Sequence, residues 1–200
     1  MQNRFFLTTI MLLCISDLLF AQSSNQNYIL TRTFMDKEGT LSKSLQTVQY
    51  FDGLGRPVQT VQKAFTPDGK DLALMQEYDD FGRNSNSWLP APQTTNSGNF
   101  VELAAIKSSS QAFYGGDNAT YSKPVYEASP LSRVIKQYRP GSDWHNNNKF
   151  VNIEYSTNNI NGVYLCIKYT ISGNSLQKSG TYPANQLYIT KITSEDDCEI

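Results

Sequence analysis

Histidine, cysteine and excess charge are scarce in this chain of 200 residues, and each shortage closes off a line of chemistry. One His and three Cys, with no Cys-x-x-Cys pair, give no metal-ligand spacing, so neither a metal nor a cofactor is expected. A formal net charge of −1 lacks the basic footprint of a nucleic-acid binder. Past residue 20 no apolar run is long enough to cross a bilayer. What is plentiful is aromatic and turn chemistry: 12 Tyr and 10 Phe, with abundant Asn, Ser and Thr, favour strands and turns over helices. The expected class is mainly β, as one domain or as part of a larger one.

The N-terminus reads as an export signal. Met1-Gln2-Asn3-Arg4 is a short positive segment, residues 5–20 are mostly apolar, and Ala21 offers a small residue for cleavage before Gln22. The apolar run is shorter than the ~20 residues of a spanning helix and is interrupted by Asp17. Leu13 is too large to precede a lipidated Cys14. Residues 1–21 are therefore expected to be a cleaved signal peptide, and residues 22–27 a flexible lead-in. The protein is expected outside the cell or at its surface, with no membrane segment after cleavage. The remaining Cys166 and Cys198 either form a disulfide, which a secreted setting permits, or leave Cys166 as a buried thiol.

One short pattern occurs twice. Phe51-Asp52-Gly53-Leu54-Gly55-Arg56 is answered 27 residues later by Tyr78-Asp79-Asp80-Phe81-Gly82-Arg83. A period in the range of about 20–50 residues marks a repeat architecture. Residues alternate apolar and polar on either side of the first copy, as half-buried strands do. Between them an Asp can bond the backbone two residues on, and a Gly can take positive φ without a Cβ clash. The Arg then opens the return strand, where its head can reach the turn carboxylate. Asp52, Gly55, Arg56, Asp79, Gly82 and Arg83 are thus expected to be structural turn residues. Gly98, in a polar stretch, is expected to tolerate substitution.

Around this pair of repeats, residues 28–35 read as a strand closed by Asp36-Lys37-Glu38-Gly39. Thr66-Pro67-Asp68-Gly69 reads as a turn leading to a strand over residues 74–78. Trp88-Leu89-Pro90-Ala91-Pro92 reads as a breaker that opens a long excursion from the sheet. Residues 101–114 are the best helix candidate, within an inserted loop and helix spanning 88–144. Strands return over residues 150–193: Val151, Ile153 and Tyr155 share one face, and Val163, Leu165, Ile167 and Tyr169 another. Asn158-Asn159-Ile160-Asn161-Gly162 reads as the hairpin turn between them. Residues 28–200 together are expected to form one β domain, an antiparallel sheet of hairpins with a long loop and one short helix.

These residues carry a resemblance. Tyr-Asp-x-x-Gly-Arg is the signature of the RHS or YD repeat, and residues 50–61 resemble the first such unit in secreted Bacteroidetes RHS-repeat proteins. Gln111-Ala112-Phe113-Tyr114, the stretch 121–134, Pro140-Gly141 and Trp144 resemble DUF6443, an N-terminal domain of unknown function that precedes those repeats. Leu131-Ser132-Arg133 aligns as a decayed third copy of Leu54-Gly55-Arg56. The resemblance implies β-hairpins wound into a hollow shell that can enclose a C-terminal toxin. The chain would then be a non-catalytic module that caps or opens the shell. Its partners would be downstream repeats or a C-terminal domain. The self-cleaving aspartate core of such shells and any toxin domain are absent from the sequence, so neither activity carries over.

Other chemistry has a plainer alternative beside it. His145 with Ser142 and Asp143 could make a hydrolytic site, but three neighbours in one loop seldom supply base, nucleophile and orienting group together. Asp52 and Asp79 could work as an acid–base pair, yet they hold the same place in two turns. Glu195, Asp196 and Asp197 could attract calcium, but have no loop spacing for it. Asn118-Ala119-Thr120 matches a glycosylation acceptor. Trp88, Tyr114, Tyr121 and Trp144, placed in loops, support an alternative function as an extracellular carbohydrate- or protein-binding module. A last strand over residues 187–193 is expected to leave an unpaired edge for self-association or for further repeats.

Overall fold

The computed structural model describes residues 25–40 and 44–196. The expected signal peptide and Cys198 lie outside the described residues. The fold is mainly β and antiparallel, and the chain divides into two compact units, Met1–Tyr121 and Ser122–Ile200.

The first unit carries β1 (Asn27–Phe34), β2 (Ser44–Phe51), β3 (Pro57–Lys63), β4 (Leu72–Tyr78) and β5 (Asn84–Trp88), hydrogen-bonded in that order. A two-residue β6 (Ala91–Pro92) returns to β4. Register decides which face is buried. Val48, Val61 and Ala73 stand opposite one another across β2, β3 and β4, as do Tyr50, Gln59 and Met75 on the same face. Onto that face packs α1 (Leu103–Phe113), two residues shorter at its start than the sequence pattern. Its Ile106 and Ser110 are buried one helical turn apart. Val48, Tyr50, Val61 and Ile106 are fully shielded from water, each burial worth roughly 1.5–3 kcal/mol.

The stretch read as an excursion is instead bound to the core. Residues 84–88 form a strand, and Pro92 fits β6 because a proline is tolerated in so short an edge element. Residues 93–101 are then pinned by three buried polar side chains. The carboxylate of Asp71 accepts the backbone N–H of Ala64 at 2.9 Å and of Gly98 at 2.7 Å. The Tyr50 hydroxyl donates to the Gly98 carbonyl at 2.7 Å. The amide of Gln59 brackets Val101, donating to its carbonyl at 2.7 Å and accepting its N–H at 2.8 Å. Gly98 is buried with φ at +76°, so it is not the tolerant position the polar sequence suggests.

The second unit holds β7 (Tyr121–Tyr126, starting on the last residue of the first unit), β8 (Val134–Tyr138), β9 (Val151–Thr157) and β12 (Tyr188–Thr193) in one sheet. β10 (Ile167–Ser172) and β11 (Ser175–Thr181) form a separate hairpin. The stretch 88–144, expected as an inserted loop and helix, thus contains three strands, β6, β7 and β8, and a second helix, α2 (Ser142–Asn146), occupies the presumed loop around Trp144. Residues 158–162 do not turn β9 onto the next strand. β9 pairs with β12, and residues 159–186 bulge out between them. Val163 and Leu165 consequently precede β10 rather than belonging to it.

Candidate functional site: the hairpin turns

The doubled motif closes two hairpins by one mechanism. In the first, the Asp52 N–H donates to the Arg56 carbonyl at 3.0 Å, and Asp52 Oδ1 accepts the N–H groups of Leu54 and Arg56, each at 2.9 Å. The Arg56 guanidinium then bonds Asp52 Oδ2 through Nε and Nη2, both at 2.7 Å. Asp79 and Arg83 repeat every one of these contacts at 2.7–3.0 Å. Gly55 and Gly82 sit at φ of +77° and +78°, the left-handed conformation that lets the chain return within so few residues.

A third turn uses different side chains for the same work. Glu127 N–H donates to the Arg133 carbonyl at 3.0 Å, and Glu127 Oε1 accepts the Arg133 N–H at 3.3 Å. The guanidinium grips both carboxylate oxygens at 2.8 Å. Ser132 takes the place of Gly, at φ of +50°. Leu131-Ser132-Arg133 therefore does occupy the position of Leu54-Gly55-Arg56.

A fourth turn was not legible at all. Asn158 N–H donates to the Leu187 carbonyl at 3.0 Å, and Asn158 Oδ1 accepts the Leu187 N–H at 2.8 Å. The residue before the acid or amide pairs with the residue after the Arg or Leu in every case: Phe51 with Pro57, Tyr78 with Asn84, Tyr126 with Val134, and Thr157 with Tyr188. Asn158 is buried and also donates to the Pro183 carbonyl at 2.8 Å.

Within each unit the turns are joined to the following hairpin by an aromatic. Arg56 lies over the Tyr78 ring at 4.3 Å, and the Tyr78 hydroxyl donates to the Pro57 carbonyl at 2.9 Å. Arg133 lies over the Tyr155 ring at 4.4 Å, and the Tyr155 hydroxyl donates to the Val134 carbonyl at 3.1 Å. The acceptor is the residue just after the Arg both times. A guanidinium held by its carboxylate is thus also the seat for a ring from the next hairpin.

The electrostatics match this geometry. The Arg56 backbone N–H is the main influence holding the Asp52 carboxyl below its usual range, against a smaller opposing effect of burial. Burial pushes Asp79 up, but the Arg83 side chain and backbone outweigh it and the net shift is downward. The Arg133 fork, helped by the Ser129 hydroxyl, lowers Glu127 to about 2. The turns thus favour the charged form of all three carboxylates.

The aromatics picked out as a binding platform are mostly spent on packing. Trp88 is 7% exposed, packs tilted against the Tyr121 ring with centroids 4.7 Å apart, and donates its indole N–H to Glu77 at 2.5 Å. Tyr114 donates to the Pro90 carbonyl at 2.8 Å. Trp144 is half-buried on α2. His145 stacks on Tyr138 at 5.1 Å. Thr120 of the glycosylation match is buried, with its hydroxyl 2.6 Å from that of Ser110. Glu195 is buried against Arg139, and Asp197 lies outside the described residues. Cys166 is a half-buried free thiol.

A family model described as a domain of unknown function (DUF6443) matches residues 24–157. Neither a curated protein nor a solved structure matches the chain.

Proposed function

Because this chain belongs to the DUF6443 family, whose function is unknown, we propose that it acts through its hairpins, as a non-catalytic structural module of an exported RHS-repeat protein. It would cap or contribute to a β-hairpin shell, with downstream repeats or a C-terminal domain as its partners. The observation that carries this reading is the joint between hairpins, in which the turn Arg of one seats the Tyr of the next, at Arg56 with Tyr78 and again at Arg133 with Tyr155. Such a joint has value only in a series, because each hairpin completes the one before it. The free edge of β12, which among the described residues pairs with β9 alone, is where the series would continue. The expected location is outside the cell, following cleavage after Ala21. Against the alternative, a binding module, stands the packing of Trp88, Tyr114 and Tyr121 described above.

Light scattering tests the proposal. The chain from Gln22 onward should self-associate, and adding further hairpins of the same kind at its C-terminus should suppress this. A monodisperse monomer that hydrolyses a substrate, and loses that activity in His145→Ala, would replace the structural reading with an enzymatic one.

A further inference from the structure

The insertion in the fourth turn is unlike the rest of the chain. Residues 159–186 contain no Asp or Glu and two lysines, Lys168 and Lys178, in a protein whose net charge is −1. Most of the insertion is the β10–β11 hairpin, turned at Gly173-Asn174 with Gly173 at φ of +61°. Ile171 stands opposite Leu176, and Tyr169 opposite Lys178, so Ile167, Tyr169, Ile171 and Leu176 share one face. The reverse face carries Lys168, Thr170 and Gln177. Exposure along the apolar face rises toward the turn, from 39% at Ile167 through 53% at Tyr169 to 78% at Ile171, with Leu176 at 69%. An isolated two-stranded hairpin is marginal in water, and this one leaves its apolar face uncovered.

From this arrangement we infer that the β10–β11 hairpin is an amphipathic arm that docks on an anionic lipid surface. The order of side chains suits an interface: an aliphatic pair nearest the turn, then a rung of Tyr169 and Lys178, whose ring and ammonium belong at headgroup depth. The absence of any carboxylate removes repulsion from anionic headgroups, which attract the two lysines. A second copy is a poorer occupant. Four side chains fall short of the ~1,200 Å² that a stable protein interface buries, and two such faces would bring lysines together. A bilayer surface requires no matching contour.

The chain from Gln22 onward keeps every element of both units and lacks the apolar leader. It should float with vesicles of equimolar phosphatidylcholine and phosphatidylglycerol, and bind phosphatidylcholine alone about tenfold more weakly. Ile171→Ser combined with Leu176→Ser should lower binding to the mixed vesicles about tenfold. Lys168→Gln with Lys178→Gln should abolish the preference for phosphatidylglycerol. The indole introduced by Tyr169→Trp should shift its emission to the blue when mixed vesicles are added. No flotation with either composition, equal binding to both, serine variants that bind as before, or an unshifted emission would each overturn the assignment.

Discussion

The two units use the same closing device at their turns but hide their apolar surface to very different degrees. In the first, α1 and the pinned stretch 93–101 cover one face of the sheet, and all the buried apolar side chains among the described residues lie there, from Val48 to Ala119. In the second, the buried residues among those described are Asn158 and Glu195, both polar. The first unit is therefore stabilised by a conventional core, the second by backbone pairing, ion pairs and ring contacts. The lesson is that the turn device fixes hairpin geometry without supplying a core.

The sharpest break of this contrast is a cavity. Ile106→Ala should cost roughly 2–5 kcal/mol in urea unfolding, whereas Ile171→Ala, on the exposed hairpin, should change stability by under about 0.5 kcal/mol. Next comes Asp71→Ala, which removes the acceptor of the Ala64 N–H and strands the buried N–H of Gly98; it should cost about 1–3 kcal/mol, with hydrogen exchange accelerating first in residues 93–101.

Glycine replacements test the turns themselves. Gly55→Val and Gly82→Val should each cost on the order of 1–3 kcal/mol, and Gly82→Val more, because its new Cβ would stand 2.8 Å from Arg56 Nη1 while that of Gly55 meets open space. Gly98→Val should cost a similar amount, contrary to the sequence expectation. A smaller effect of opposite sign is expected at Ser132: Ser132→Gly relieves its φ of +50° and should raise stability by up to about 1 kcal/mol.

The gentlest probe is acid. Glu127 has a folded value lowered to about 2 from an ordinary 4.5, so its contribution is complete above the ordinary value and lost as pH falls through the folded one. NMR titration should show the Glu127–Arg133 turn opening only toward pH 2, and Glu127→Gln should flatten that part of the stability profile.

Much of the fold could be read from residues alone, and the failures have physical causes. Asp52 and Asp79 were visible because carboxylate, Gly and Arg fall in a fixed short frame. The third turn was half-visible, since Glu127 reaches from farther back and Ser132 accepts a conformation usually left to Gly. The fourth was hidden because Leu187 has no guanidinium and stands across residues 159–186 from Asn158. Residues 88–99 misled for another reason: Pro and Gly report local breaks, while Asp71 and Gln59 bind that stretch through contacts with no sequence period. The aromatics misled likewise, as Trp88 ends a strand and is buried in the core.

Asn158 and Leu187 meet through one backbone hydrogen bond and one from the Leu187 N–H to the Asn158 side-chain oxygen, and the same Asn158 amide holds the Pro183 carbonyl and the Gln186 N–H at the end of the insertion. Loop closure grows dearer only as the logarithm of length, so the β10–β11 hairpin acts as an exchangeable cassette in a socket formed by Asn158 and residues 182–187. In engineering terms this is a splice point: a foreign peptide put in place of β10 and β11 would be displayed from the sheet while β9 and β12 keep their register.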